Sequence, residues 1–180
     1  ATGQAETAAA IKMHHLLGGR TDHIARFDVI MADYPMVHEQ QSDPARRHPD
    51  SREAADHSFY FLAAIGLMDG TLTMRSYDHE RWLQPAIVDL MAKGQMRVDP
   101  ALNLRAPLSY PCAIEVLLTD GTIHRTQVDY APGHSTGLLE ESAVVEKFDR
   151  LTQSIISKRR QEQIISQVLS LDKLERIDSM

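Results

Sequence analysis

One cysteine in 180 residues, Cys112, has no second thiol to pair with. That scarcity excludes an internal disulfide, a cysteine-based zinc site and a three-cysteine iron–sulfur cluster from this chain alone. Positive charge is also short. Nineteen Lys and Arg stand against 25 Asp and Glu, leaving a net charge of −6 and a pI near 5.8. A nucleic-acid binder would carry a basic face, so no nucleic acid is expected as a partner. The longest apolar run, Phe59 to Met68, is about half a membrane span, so no membrane partner is expected either. "ATGQAETAAAIKMHH" lacks the basic flank and long apolar core of a secretory signal, and the cytoplasm is the expected compartment. GxSxG, GxxxxGK, GxGxxG and HExxH are all missing, and neither a cofactor nor a metal is expected.

What is present is ordinary for a globular chain: 43% hydrophobic and 24% charged residues, in a length that suits one domain with a real core. "AETAAAIKMHHLL" (5–17) reads as a helix stopped by Gly18-Gly19. "DHIARFDVIMAD" alternates as a half-buried strand, with Ala25, Phe27, Val29 and Met31 on one face. Residues 38–52 are polar and broken by Pro44 and Pro49, which predicts a surface loop, with Asp50 and Glu53 as a capping box for the next helix. That helix, through "FYFLAAIGLMD", is apolar on every side and therefore packed on every side. "QPAIVDLMAKG" predicts a shorter helix with Pro85 in its first turn, and "QMRVDPAL" a short strand. "CAIEVLL" and "IHRTQVDY" flank Thr119-Asp120-Gly121-Thr122 and predict a hairpin. From Glu140 the spacing of Val144, Phe148, Leu151 and Ile155 predicts a helix. A break is expected near Lys158-Arg159-Arg160, then a second helix, with "LDKLERI" closing as a short one. The fold class is α+β: helices packed on a small, mainly antiparallel sheet, with a C-terminal helical segment.

Nine histidines call for a test of metal spacing. His14 and His15 point in different helical directions, and His79-Glu80 has no second histidine four residues on. Gly133-His134 follows the hairpin as a loop bearing one imidazole; taken alone, such a histidine is a solvated bystander. Arg46-Arg47-His48 is a compact basic cluster in an acidic chain. It could grip a carboxylate-rich ligand through bidentate guanidinium contacts, or be a solvated run of loop charges. Asp56, His57 and Ser58 stand at the front of the apolar helix, where polar groups must find partners or face a cleft, because unpaired burial costs a few kcal/mol each.

"ADHSFYFLAAIGLMDGTLT", "DGTIHRTQVDYAPGHSTGLLEESAVVEKF" and "LDKLERI", in that order, resemble the carboxy-terminal region of the MmgE/PrpD family. The family includes 2-methylcitrate dehydratase, cis-aconitate decarboxylase and iminodisuccinate epimerase. The resemblance implies that residues 1–180 form an α+β lid domain, and that the family's helical N-terminal domain, with its main histidine, aspartate and lysine candidates, is absent from this chain. It implies a metal-independent lyase, 2-methylcitrate dehydratase-like, acting on a small polycarboxylate across the cleft between the two domains, with a homodimer expected. His134, matching the family's Gly-His, is the catalytic candidate. Ser58, His57, Tyr60, Arg46, Arg47 and Gly133 are the substrate-binding candidates. Phe61 departs from the pattern, since many members carry Tyr there; Tyr60 is rotated away by roughly 100°. The alternatives are a decarboxylase or epimerase of the same family, or a non-catalytic α+β binding or assembly module.

Overall fold

The computed structural model describes residues 3–105, 107–134 and 139–173, and the chain divides into two compact units, Ala1–Thr136 and Gly137–Met180. The first unit is organised around the apolar helix that the sequence marks. Here it is α5 (Phe59–Asp69), following α1 (Gln4–Leu17), α2 (Pro35–Ser42), α3 (Pro44–Arg47) and α4 (Arg52–Asp56). Every residue of α5 from Phe59 to Leu67 is buried. It begins because Ser58 accepts the Phe61 N–H at 3.1 Å, and it ends at Gly70, whose φ of 64° suits glycine. Burying a side chain such as Phe61 is worth about 1.5–3 kcal/mol.

α1 packs along α5, and the crossing is tight because both helices place small residues there. A Cβ built on Gly66 would lie 2.7 Å from the Ala10 Cβ. Across α5 from the second half of the unit comes α6 (Pro85–Ala92), entered through Pro85 as the sequence predicts. Beneath the helices lies a four-stranded sheet in the order β2 (Gly94–Val98), β1 (Ile24–Met31), β3 (Cys112–Leu118), β4 (Ile123–Val128). β1 pairs with β3, and β3 with β4, antiparallel; β1 and β2 run parallel, joined by a crossover that contains α2 to α6. The α+β class and the mainly antiparallel sheet are as predicted.

The details depart from the sequence reading in four places. A bulge between Ile24 and Arg26 interrupts the alternation of β1, so Ile24 joins Phe27, Val29 and Met31 in the main core while Ala25 is exposed. Ile30, on the other face, is covered by a small second cluster with Ala32, Leu102 and Ala113. Residues 38–52 are not one loop: α2 runs through Ser42 and α3 through Arg47, and only 48–51 are irregular. Pro44 begins α3 at the position where a missing N–H costs nothing, and Asp43 caps it by accepting from Ala45 N at 2.9 Å. Finally, α4 is capped by Ser51, not Asp50, and it ends before Ser58, so α5 is a separate helix.

The second unit holds α7 (Glu141–Thr152) and α8 (Lys158–Leu169). The break lies ahead of Lys158-Arg159-Arg160, which open α8 after the cap Ser157. Gln161 is the buried side chain of α8, donating to the Asp149 carbonyl at 3.2 Å and to Thr152 Oγ1 at 2.9 Å. Neither helix buries an apolar residue, and Ile155 between them is 76% exposed. Of "LDKLERI", residues 171–173 form a 3-10 turn and the rest lies outside the described residues.

Candidate functional site

The three polar residues ahead of α5 each have a partner within the chain. The Ser58 hydroxyl is buried between the Arg46 carbonyl, to which it donates, and the Phe61 N–H, from which it accepts. His57 Nδ1 donates to the Glu53 carbonyl at 2.9 Å. Its own carbonyl accepts from Gln40 Nε2 at 2.8 Å, while Gln40 Oε1 accepts the Phe59 N–H at 2.9 Å. One buried glutamine from α2 therefore closes the gap between α4 and α5. Asp56 accepts the Tyr77 phenol at 2.7 Å, and the Tyr77 ring stands 5.5 Å from Phe61. Burial first, then the bond and charge of Asp56, hold that phenol well above its ordinary range.

Arg47 and Tyr60 form a second unit of the same edge. The guanidinium lies 4.4 Å over the Tyr60 ring, and it donates to the phenol oxygen at 3.1 Å and to the Gly94 carbonyl at 3.4 Å. Tyr60 is buried, so its hydroxyl meets the arginine inside the protein. Arg46 forms ion pairs with Glu39 and, at 3.6 Å, with Asp43. The basic cluster of the sequence is thus balanced by acids one and two turns away. His48 is exposed beyond them.

Gly133 and His134 stand elsewhere. His134 N–H donates to the Ala131 carbonyl at 3.0 Å, closing a turn over Pro132-Gly133 in which Gly133 takes φ 84°. The turn presents the imidazole to the Leu108 carbonyl, 2.6 Å from Nε2. A carbonyl oxygen only accepts, so Nε2 carries the proton. The ring lies 5.0 Å from Tyr130, whose face is covered by Arg105 at 5.8 Å; Arg105 pairs with Asp129 at 3.2 Å. An imidazole that can exchange a proton and a half-exposed guanidinium that can receive a carboxylate are gathered here.

The candidates form two groups. Arg47 is bonded to the start of β2, at one edge of the sheet, and His134 follows β4, at the other. Three inter-strand spacings separate those edges, about 14 Å. Gln40, Tyr77, Arg105 and Tyr130 escaped the sequence reading. Among the described residues no group of three or more His, Cys, Asp or Glu is placed to hold a metal, and no described helix is long and apolar enough to cross a membrane.

Fold and residues together define an α+β domain whose polar candidates sit at two sheet edges. Compared with known families, residues 2–173 match the MmgE/PrpD C-terminal domain, and the chain belongs to the MmgE/PrpD family. It is similar to cis-aconitate decarboxylase of Mus musculus, 28% identical over 175 residues, and to cis-aconitate decarboxylase of Homo sapiens, 29% identical over 175 residues. Each alignment covers 95% of this chain and 34% of the relative, so the chain spans about a third of the length of these relatives.

Proposed function

We propose that this chain is the lid and part of the substrate pocket of a metal-independent lyase acting on a small polycarboxylate, completed by a helical N-terminal domain. One observation carries the reading: the match to the family's C-terminal domain runs through residues 2–173 while the chain spans only a third of its relatives. The exposed apolar residues of the second unit, Val144, Leu151, Ile155 and Val168 among them, support a further cover of protein. Two decarboxylases among the relatives favour loss of carbon dioxide over loss of water, with 2-methylcitrate dehydration and epimerisation as the other branches.

The chemistry asks for a proton donor or acceptor at a carbon next to a carboxylate, and for fixed positive charge on the carboxylates that stay. In decarboxylation the carbon–carbon bond pair left behind by carbon dioxide must be quenched by a proton. In dehydration a proton leaves carbon and a second one goes out with hydroxide as water. His134 is assigned the proton transfer, with Arg105 beside it as the guanidinium that receives a carboxylate. Gly133 provides the turn. Ser58, His57, Tyr60, Arg46 and Arg47 act on the opposite edge, shaping the wall that the lid presents. The net charge of −6 repels a polycarboxylate at long range, so attraction has to be local.

The test joins this chain to the helical domain of its own protein and assays cis-aconitate decarboxylation beside 2-methylcitrate dehydration. His134→Ala is expected to lower kcat at least tenfold in whichever reaction runs. Turnover that is indifferent to that change removes His134 from the mechanism. A non-catalytic binding or assembly module remains the second reading, favoured by one observation: Arg46, Arg47 and Arg105 are already committed to Glu39, Asp43, Tyr60, Gly94 and Asp129. No turnover in the completed protein, with folding intact, would select it.

A further inference from the structure

Glu6 lies in the first turn of α1, and its side chain is completely buried. Among the described residues, neither carboxyl oxygen has a hydrogen-bond partner and no cation pairs with it. Its surroundings are apolar or neutral. A Cβ built on Gly3 would stand 3.1 Å from Leu62 and 3.5 Å from both the Phe59 ring and Glu6 Oε2, which places the carboxyl against the start of α5. The titratable groups that bear on it are the Cys112 thiol of β3 and the Tyr77 phenol from the segment after α5; Asp56 and Arg52 act on Tyr77 in turn. All that α5 offers is the backbone near Ala63.

We propose that Glu6 is buried as a neutral carboxylic acid where the first turn of α1 packs on α5, and that its ionisation as pH rises loosens this packing. The physical basis is the cost of an unpaired charge in a dry interior, which exceeds that of any neutral polar group. Burial drives the Glu6 carboxyl well above its ordinary value of 4.5, and the Ala63 backbone opposes this only in part. A folded state that keeps a proton the unfolded chain has lost becomes less stable as pH climbs. The loss begins near 4.5 and continues until the folded group itself ionises. Glu6→Gln keeps the shape and removes the charge, so the variant lacks this component of the pH dependence.

Thermal unfolding of the 180-residue chain and of Glu6→Gln, measured from pH 5 to pH 8, tests the proposal. The Tm of the parent is expected to fall relative to the variant by roughly 4 °C or more across that range. A Tm difference that stays constant with pH overturns the proposal. If the variant does not fold, the Glu6 carboxyl carbon of the parent, 13C-labelled and followed by NMR, gives the answer. A carboxylic-acid shift persisting at pH 7 supports the proposal, and a carboxylate shift from pH 5 upward overturns it.

Discussion

α5 and the α7–α8 pair are both helical, yet they use hydrophobic residues in opposite ways. α5 is apolar all round and buried all round, from Phe59 to Leu67. α7 and α8 are amphipathic, and no apolar residue of either is buried. An all-round apolar helix is covered on every side, whereas an apolar stripe on a polar helix is buried only where a neighbour covers it. α5 has α1, α6 and two strands around it. For α7 and α8, polar bridges at Gln161 and Lys158–Asp149 join the pair, each worth about 1 kcal/mol or less, while Phe148, Ile156, Ile164 and Ile165 are half-buried.

The contrast can be broken or sharpened by substitution. Phe61→Ala should be the most damaging, costing about 3–5 kcal/mol, because the ring is fully buried against Tyr77 and its cavity cannot collapse between packed helices. Denaturant unfolding checks it; a loss below 1 kcal/mol would mean α5 is not the dry centre described. Gly66→Val comes next. Its Cβ would meet Ala10 at 2.7 Å, and forcing the helices apart should cost about 1–3 kcal/mol, read as a drop in Tm. Ser58→Ala removes the α5 cap and the bond to Arg46, for a loss of about 1–2 kcal/mol, and Ser58→Thr should recover part of it. At the far end, Ile155→Ser should stay within about 0.5 kcal/mol in this chain. In the completed protein the same change should matter more, and an equal effect in both would deny that the α7–α8 face acquires a cover.

Much of this fold is legible from pattern. The hairpin at Thr119–Thr122 was predictable because turn chemistry is local: Gly121 takes φ 87°, and Asp120 accepts the Thr122 N–H at 2.8 Å. That same bond holds the Asp120 carboxyl below its usual range. Pro85 and Gly70 mark helix ends for equally local reasons. Residues 38–47 misled because Pro44 read as a breaker, whereas proline is equally at home in the first turn of a helix; Pro49, in the irregular stretch 48–51, does break the chain as expected. The candidate site was less legible. His134 and its turn could be named, but the partners Leu108, Tyr130 and Arg105 could not. Arg46 and Arg47 read as a free cationic patch because nothing in a row of residues shows that Glu39 and Tyr60 will come to meet them.

By itself the sequence determined the α+β class, the apolar helix, the hairpin and the family, since these rest on propensity, periodicity and ordered motifs. Only folding settles the parallel pairing of β1 with β2, the placing of Arg47 at β2 and of His134 beyond β4, and the burial of Glu6 with no partner among the described residues. The physical reason is range. Turns and caps are settled within a few residues, whereas desolvation and charge pairing depend on groups that only folding brings near.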